Sequence, residues 1–337
     1  MLGTGLGLLL VEIALRAAGW PAPGYYIGDE GPITERWHYP GRHGGMYPPG
    51  VGRLKHYYYD VEMAINEHGL RERPWTPKQS GRWRVGLFGD SYVLGTGVEQ
   101  PERFGDAWYA LVQDRFPNVE LWNFGSALCG TKGSADMLDG IARRYDLDEI
   151  VLAFYAGNDL LDTYQDVRRG DSLQAPRTRW RAVKYWLRTH CRLISFVWVA
   201  VARTWARFEP IGVFTRAELE EYWHDTEAAL DRIKMLSGTR PLALLYLPTN
   251  LEWDDVAWQQ ARKRFGYSED GRWLVKRRLA DWAKQQNVEL IDVTPWLRQC
   301  GLPADCCIPV DGHWNARGHH VVAEGLARHA WSRRPHP

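Results

Sequence analysis

Short apolar segments alternate with longer helical segments along most of this 337-residue chain. Each apolar segment is apolar almost throughout, which is typical of strands that are covered on both faces of a parallel sheet. The predicted strands are 83–88, 119–123, 150–155, 242–247 and 288–292, and the predicted helices include 104–116, 135–145, 271–286 and 318–330. This alternation predicts an α/β fold in which a parallel five-stranded sheet lies between two layers of helices.

Composition places the chain among ordinary globular proteins. Hydrophobic residues make up 45% and charged residues 25% of the sequence, which suffices for one large domain with additions. The formal net charge is +1, so overall charge gives no reason to expect a nucleic acid partner. Residues 95–100 lack the third glycine of a dinucleotide-binding loop, and no Gly-Lys-Ser/Thr sequence occurs. The 18 tryptophans are interpreted mainly as core residues, with sugar stacking or a membrane interface as the alternatives.

Composition also divides the chain into three parts. Residues 1–20 are a predicted membrane anchor or signal-like segment, residues 21–80 are predicted to be irregular with a short strand or two, and residues 81–333 form the predicted α/β domain. Residues 164–240 interrupt the alternation and predict a helical insertion. Within them, residues 168–207 contain ten Lys or Arg and one acidic residue, and they include an apolar run at 193–202. This pattern is typical either of an interfacial helix or of an insertion packed on the sheet with solvated arginines.

The N-terminal apolar run leaves three alternatives open. It extends over ten residues from Leu2 to Val11 and ends at Glu12, whereas a helix that spans a bilayer needs ~20 apolar residues. Its length suits the apolar core of a signal peptide, but no basic segment precedes it. We therefore expect a membrane anchor that begins before this sequence, a degenerate signal segment, or a buried N-terminal helix.

Two motifs supply a candidate nucleophile and a candidate base. The sequence Phe-Gly-Asp-Ser ending at Ser91 follows the first predicted strand, where a turn can expose the hydroxyl and free the serine N–H as an oxyanion donor. His313 is the predicted general base because imidazole titrates near neutral pH, and Asp311 is predicted to hold its tautomer. His319 and His320 on the following predicted helix are the rivals of His313.

Two further motifs supply candidate oxyanion donors. Gly125 follows the second predicted strand, and a glycine there can bring its backbone N–H close to a ligand. Asn158 follows the third, and its side-chain amide can donate to the same oxyanion without titrating. Because ligands bind at the carboxyl ends of the strands in open α/β sheets, Ser91, Gly125 and Asn158 are predicted to converge.

Taken in chain order, Ser91, Gly125, Asn158 and His313 resemble the SGNH/GDSL hydrolase superfamily, whose four signature residues are Ser, Gly, Asn and His. The resemblance covers about 82–163 and 240–333. It implies a flavodoxin-like three-layer α/β/α sandwich and a serine esterase mechanism without a cofactor. The segment Asn66-Glu-His-Gly-Leu-Arg71 also looks like a membrane-tethered bacterial branch, which implies a location outside the cytoplasm. The usual acid of the superfamily lies three residues before the histidine, whereas Asp311 lies two before it.

The five cysteines include a pair just before the histidine motif. A disulfide between Cys300 and Cys306 would pin the loop that carries His313, and it suits an oxidising compartment. The alternative is that all five cysteines are reduced and act as small apolar residues. No Cys-x-x-Cys spacing is present, so the sequence does not favour a zinc site.

The sequence therefore predicts a serine ester hydrolase that acts on a carboxylic ester or on an O-acyl or O-acetyl carbohydrate. The same residues could pass the acyl group to a sugar hydroxyl, which would make the chain an O-acyltransferase of envelope polysaccharide. A non-catalytic envelope-binding protein that retains the fold is the third alternative. The expected partners are a small-molecule or polysaccharide acyl ester and a membrane, with no nucleic acid and no metal.

Overall fold

The structure is a computed structural model that describes most of the chain. The described residues are 2–19, 27–28, 31–32, 47, 49–55, 58–127, 130–169, 191–194, 196–197, 212–309 and 311–329. The basic segment at 168–207 and the apolar run within it lie largely outside these ranges.

A small antiparallel sheet precedes the main domain. Its strands are β1 (Ile27–Gly28), β2 (Gly31–Pro32), β3 (Gly50–Lys55) and β4 (Asp60–Ile65), in the order β2-β1-β3-β4. Val61, Met63 and Ile65 of β4 are buried, and they alternate with more exposed positions, as expected for a strand with one covered face. These three side chains belong to the same hydrophobic cluster as Phe88 and Phe124 of the main sheet. The N-terminal extension is thus packed on the core of the main domain.

The described part of residues 21–80 contains four strands, where the sequence predicts a short strand or two. The alternation of Val61, Met63 and Ile65 is readable in the sequence, whereas the prediction rested on the Pro and Gly content of the segment. A further turn joins this sheet to the main domain, where the side chain of Asn66 accepts hydrogen bonds from the backbone N–H groups of His68 and Leu70.

The main sheet has five parallel strands. They are β5 (Trp83–Gly89), β6 (Val119–Gly125), β7 (Glu149–Tyr155), β8 (Leu242–Leu247) and β9 (Glu289–Asp292). Their order is β6-β5-β7-β8-β9, which is the flavodoxin-like order. The prediction of a flavodoxin-like α/β fold with a parallel five-stranded sheet is confirmed, and every predicted strand lies within two residues of its observed bounds.

Alternate residues of each strand feed two separate cores. Phe88, Leu152 and Leu244 belong to the first core, whereas Leu87 and Val151 belong to the second. Two cores on opposite faces of one sheet define the three layers of the sandwich. The helices that flank the sheet are Phe104–Val112, Thr131–Asp139, Asp159–Arg169, Arg216–Ser237, Leu274–Gln285 and Ala316–Arg328. Further helices are Ser91–Leu94, Asn250–Trp253, Asp255–Phe265, Thr294–Arg298 and Pro303–Cys306.

The region of the expected insertion is bounded by two helices that pack on the domain. Leu160 in Asp159–Arg169 is buried in the first core, as are Trp223 and Leu230 in Arg216–Ser237. The second of these helices begins at a capping box, in which Thr215 and Glu218 bond each other's backbone N–H groups. The boundaries predicted for the insertion and for the three parts of the chain remain predictions.

An N-terminal helix, Leu2–Ala17, presents apolar side chains to its surroundings. Leu6, Leu8, Leu9, Leu10, Val11 and Ile13 are between 44% and 60% exposed, so this helix does not fit the alternative of a buried helix. The carboxylate of Glu12 accepts hydrogen bonds from the backbone N–H groups of Arg192 and Leu193. Within the described part of the chain, no helix is both long enough and apolar enough to cross a lipid bilayer.

Candidate active site

Three of the sequence-predicted site residues lie at one edge of the main sheet. Strand β5 ends at Gly89, two residues before Ser91, and Gly89 is paired in register with Gly125 at the end of β6. Strand β7, the other neighbour of β5, ends at Tyr155, three residues before Asn158. Parallel strands thus bring these segments together at their carboxyl ends, where α/β sheets bind ligands.

Ser91 is the first residue of the four-residue helix Ser91–Leu94, which we call the nucleophile helix after the predicted role of Ser91. The carboxylate of Asp90 accepts a hydrogen bond from the backbone N–H of Tyr92 at 2.9 Å, which fixes the start of the turn. The helix ends at Leu94, and the next residue, Gly95, has a φ of 76° in the left-handed region that favours glycine. Burial raises the pKa of Asp90 to about 6, although the hydrogen bond from Tyr92 and the charge of His313 oppose this rise. Ser91 itself is largely buried at the carboxyl edge of the main sheet.

His313 and Asp311 lie in a tight loop that reaches Ser91. The Nε2 atom of His313 lies 2.7 Å from Oγ of Ser91, and its Nδ1 atom is hydrogen-bonded to Oδ1 of Asp311. The same carboxylate oxygen accepts the backbone N–H of His313 at 3.2 Å. Ser91, His313 and Asp311 therefore form one continuous row of hydrogen-bonded groups.

The loop geometry explains how an aspartate two residues before the histidine can reach it. Gly312 has a φ of 90°, which only glycine adopts readily, and its N–H donates to the carbonyl oxygen of Ile308. The N–H of Ile308 in turn donates to the carbonyl oxygen of His313 at 2.7 Å. This reversal turns the Asp311 side chain back onto the imidazole, so the shift from the usual spacing does not break the contact.

The environment of His313 favours its protonated form. Burial is the largest influence on its pKa and opposes the charge. The hydrogen bond and the negative charge of Asp311, together with the charge of Asp90, outweigh burial and raise the pKa above its usual value. This is the electrostatic arrangement of a base that must hold a proton during a reaction.

Gly125 lies at the predicted sheet edge, and its N–H is bonded within the protein. Its N–H donates to Oδ1 of Asn123 at 2.8 Å and is therefore engaged within the protein. A side chain at this position would lie 2.1 Å from the backbone nitrogen of Leu94, so the glycine allows close packing of β6 against the nucleophile helix. The role of Gly125 as an oxyanion donor therefore stays a prediction, and in this arrangement its N–H is bonded to Asn123.

Asn158 is the last residue of the turn that joins β7 to the helix Asp159–Arg169. Its Nδ2 group donates to a carboxylate oxygen of Asp162 at 2.8 Å, which leaves one of its two amide protons for another acceptor. Its Oδ1 atom is buried and has no hydrogen-bond partner among the described residues. The side chain is thus held by Asp162 and retains the capacity to donate a second hydrogen bond.

The rival histidines have other roles. His319 is fully buried, and its Nδ1 atom accepts the backbone N–H of Phe104 at 3.2 Å. His320 is exposed and pairs with Glu324 on its own helix. The structure brings neither imidazole into the row formed by Ser91 and His313.

A disulfide joins Cys300 to Cys306, as one of the sequence alternatives predicted. The disulfide links the last residue of the helix Pro303–Cys306 to a residue shortly before that helix. Directly after the helix, Cys307 forms a β-bridge with Trp314. The thiol of Cys307 is buried, which raises its pKa to about 12. Across the described ranges, no group of three or more His, Cys, Asp or Glu side chains is arranged to hold a metal ion.

Several residues that support the site were not identified from sequence. Asn123 bonds Gly125, and its Nδ2 group donates to the carbonyl oxygen of Val93 in the nucleophile helix at 2.9 Å. Arg71 and Glu72 reach the same region from the N-terminal extension. Arg71 and Glu72 form no periodic pattern in the sequence that would predict their burial. Asn123 could have been identified, because it lies in the same Asn-Phe-Gly motif as Gly125.

A doubly wound α/β sheet with a serine, a histidine and an aspartate in a hydrogen-bonded row at its carboxyl edge is the architecture of serine-dependent acyl hydrolases. The sequence profile of the GDSL-like Lipase/Acylhydrolase family matches residues 87–321, and the chain belongs to this family. It is accordingly a hydrolase that acts on ester bonds.

Solved structures of low sequence identity resemble parts of the chain. They include a lipase, Lip_vut3, from a goat rumen metagenome, with 15% identity over 72% of this chain and 95% of that chain and a TM-score of 0.43. An acetylxylan esterase from Geobacillus stearothermophilus has 12% identity over 75% and 95% of the two chains and a TM-score of 0.43. A lipase/acylhydrolase from Enterococcus faecalis has 15% identity over 76% and 99% and a TM-score of 0.44. No curated protein matches the chain.

Proposed function

We propose that the chain hydrolyses carboxylic esters through an acyl-enzyme formed on Ser91. The observation that carries this proposal is the distance of 2.7 Å between Oγ of Ser91 and Nε2 of His313, with Asp311 on the other ring nitrogen. A hydroxyl, an imidazole and a carboxylate in this order are the groups that activate a serine nucleophile.

In the first half-reaction Oγ of Ser91 attacks the acyl carbon and its proton passes to Nε2 of His313. The resulting imidazolium is stabilised by the carboxylate of Asp311. His313 then gives the proton to the oxygen of the leaving alcohol, and the C–O bond of the ester breaks. In the second half-reaction water attacks the acyl-enzyme, His313 accepts its proton, and the proton returns to Ser91 as the free acid leaves.

The oxyanion of each tetrahedral intermediate needs fixed donors. The backbone N–H of Ser91 and the remaining amide proton of Asn158 are the donors that we propose. Since the N–H of Gly125 is bonded to Asn123, Gly125 has no part in this proposal.

Hydrolysis of p-nitrophenyl acetate by the wild-type chain and by Ser91→Ala tests this proposal. We expect Ser91→Ala to lower kcat by about 10³-fold or more, because the nucleophile is lost. Ser80→Ala, at an exposed serine before β5, is the matched control and should leave turnover unchanged. Equal turnover by wild type and Ser91→Ala would show that hydrolysis does not use this site.

A panel of acceptors and acyl donors defines the substrate class. Esters of increasing acyl length measure the size of the acyl site, and an acetylated polysaccharide such as acetyl-xylan tests O-acetyl carbohydrates. Measuring free acid against acylated sugar in the same reaction separates a hydrolase from an acyltransferase. Our proposal requires free acid as the main product with every active ester.

We further propose that the chain works at a membrane surface outside the cytoplasm. The exposed apolar side chains of Leu2–Ala17 support this location, as does the basic composition of residues 168–207. A disulfide at Cys300–Cys306 suits an oxidising compartment.

Sedimentation with vesicles of neutral and anionic lipid tests the membrane proposal. We expect the wild-type chain to sediment with vesicles and the double variant Leu6→Glu/Leu10→Glu to stay in the supernatant. Val256→Glu changes an equally exposed apolar residue on another helix and is the control. Equal sedimentation of all three proteins, or none by wild type, would contradict the proposal.

A further inference from the structure

Arg71 of the N-terminal extension is a buried cation whose hydrogen-bond acceptors, among the described residues, are all backbone oxygens. Its side chain is 1% exposed. Its Nη1 atom donates to the carbonyl oxygens of Leu94 at 3.2 Å and Gly95 at 2.8 Å. Its Nη2 atom donates to the carbonyl oxygens of Glu62 at 2.6 Å and Val98 at 2.9 Å.

These four bonds connect the small sheet to the segment that carries Ser91. Leu94 is the last residue of the nucleophile helix, whereas Glu62 lies in β4 of the extension. The last carbonyl groups of a helix have no partner within the helix, so a cation that binds them also fixes where the helix ends. With the first turn capped by Asp90, both ends of this short helix are tied to the protein.

The neighbouring residue reinforces the same contact. A carboxylate oxygen of Glu72 accepts the backbone N–H of Asn123 at 2.9 Å. The side chain of Asn123 in turn donates to the carbonyl oxygen of Val93. Arg71 and Glu72 therefore reach the nucleophile helix by two routes, one direct and one through the end of β6.

Arg71 is itself held in place by a second buried arginine. The Nη1 atom of Arg103 donates to the carbonyl oxygen of Arg71 at 2.6 Å, and its guanidinium pairs with Asp106 at 2.7 Å. Burial lowers the pKa of Arg71 to about 10, with a contribution from the charge of Arg103, so the side chain is still a cation at neutral pH.

We propose that Arg71 is a positioning residue for the reaction: it holds the end of the Ser91–Leu94 helix so that Oγ of Ser91 stays within hydrogen-bonding distance of His313. This inference rests on the proposed function of Ser91. It assigns the N-terminal extension a part in catalysis, although Arg71 touches none of the reacting groups. Lysine cannot replace it fully, because a single ammonium group cannot reach four oxygens that a planar guanidinium bonds from two nitrogens.

Arg71→Lys and Arg71→Met test the proposal. We expect kcat per folded molecule to fall by about 10- to 100-fold in Arg71→Met, the loss that follows a displacement of about 1 Å in a reacting group, and by less in Arg71→Lys. KM should stay within about threefold of wild type, because ground-state binding does not depend on the hydrogen bond between Ser91 and His313. The control is Arg53→Met, which removes an exposed arginine of the same small sheet that pairs with Asp60.

Hydrogen exchange followed by mass spectrometry gives a readout that does not depend on activity. We expect peptides covering residues 91–98 to lose protection in both Arg71 variants and to keep it in Arg53→Met. If the wild-type chain has no esterase activity, the proposed function fails, and this exchange measurement still decides whether Arg71 holds the helix.

The activity and exchange results together separate positioning from general stability. A purely structural Arg71 would lower Tm while kcat of the folded fraction stayed unchanged. The inference would be overturned if, in both Arg71 variants, residues 91–98 kept their protection and kcat per folded molecule stayed within about twofold of wild type. Arg71→Lys keeps the test decisive where Arg71→Met does not fold.

Discussion

The hydroxyl group of Tyr92 donates a hydrogen bond to the carbonyl oxygen of Gly312 at an oxygen–oxygen distance of 3.1 Å. The ring of Tyr92 also lies against His313, with 5.0 Å between the ring centroids. The residue after Ser91 is thus bonded to the residue before His313. One side chain thereby links two segments that are 220 positions apart in the sequence.

Replacing Tyr92 with phenylalanine should loosen this link without removing a reacting group. The carbonyl of Gly312 would lose a partly buried hydrogen bond, which is worth about 1 kcal/mol. We expect kcat/KM to fall by roughly fivefold, the rate equivalent of that energy, with a small fall in Tm. Steady-state kinetics on a nitrophenyl ester measure this, with Tyr109→Phe on helix Phe104–Val112 as the control. Unchanged kinetics in Tyr92→Phe would mean that the loop does not need the bond.

The raised pKa of His313 sets the pH range of activity. A general base must be neutral, so activity falls as pH drops through the pKa of His313. Because Asp311 raises that pKa, we expect the acidic limb of the profile of kcat/KM against pH to lie above the usual histidine value of about 6.5.

Asp311→Asn should move this limb and slow the reaction. Loss of the negative charge lowers the pKa of His313, so the acidic limb shifts to lower pH, and kcat should fall by about 10²- to 10⁴-fold. Asp281→Asn, at an exposed position on helix Leu274–Gln285, is the control. An acidic limb that stays in place in Asp311→Asn would show that Asp311 does not act on the base.

The sequence was informative wherever local pattern decides structure. The apolar segments from 83–88 to 288–292 predicted all five strands of the main sheet. Because the order of parallel strands places their carboxyl ends together, the same pattern predicted where Ser91 and Asn158 would lie. Chain order therefore carried most of the information about the site.

The sequence failed where the outcome depends on which of several hydrogen bonds forms. The letters of Asn-Phe-Gly cannot tell whether the N–H of Gly125 faces a ligand or the side chain of Asn123. The predicted helix at 135–145 is a helix up to Asp139 and a separate 3₁₀ turn after Gly140, because tertiary packing decides between these neighbouring geometries. The support from Arg71 depends on contacts between distant segments, which no local pattern reports.

Reduction of the Cys300–Cys306 disulfide should destabilise the fold and the base loop together. The bond closes a short loop, for which chain entropy suggests roughly 2–3 kcal/mol of stabilisation. We expect a reductant to lower Tm by several degrees and to lower kcat, measured by thermal denaturation and ester hydrolysis. The double variant Cys300→Ala/Cys306→Ala should start at the lower Tm and show no further change with reductant. A reductant effect of equal size in that variant would point to another target.

His319 should make stability depend on pH below neutrality. Burial, aided by the positive charges of His313, Arg103 and Arg71, lowers its pKa to about 3, whereas the unfolded chain has a histidine pKa of about 6.5. The unfolded state therefore binds one more proton between these values. The stabilisation that comes from neutral His319 is fully present above about pH 6.5 and is lost as pH falls toward about 3, by ~1.4 kcal/mol per pH unit.

Urea unfolding between pH 4 and pH 7 (conditions chosen to fall within this window) measures the effect. We expect the unfolding free energy of His319→Gln to depend less steeply on pH, by the equivalent of about one bound proton. The amide oxygen of the glutamine can still accept the N–H of Phe104. His320→Gln changes an exposed histidine on the same helix and should keep the wild-type slope. Identical slopes in wild type and His319→Gln would rule out this origin of acid sensitivity.

The most direct test of the central claim is covalent labelling of the chain with a serine-directed phosphonate ester, followed by peptide mass spectrometry. We expect one phosphonyl group on Ser91, slower labelling when His313 is replaced by asparagine, and none at this peptide in Ser91→Ala. Labelling of a different residue, or no labelling of Ser91 in a folded wild-type chain, would contradict the assignment of Ser91 as the nucleophile.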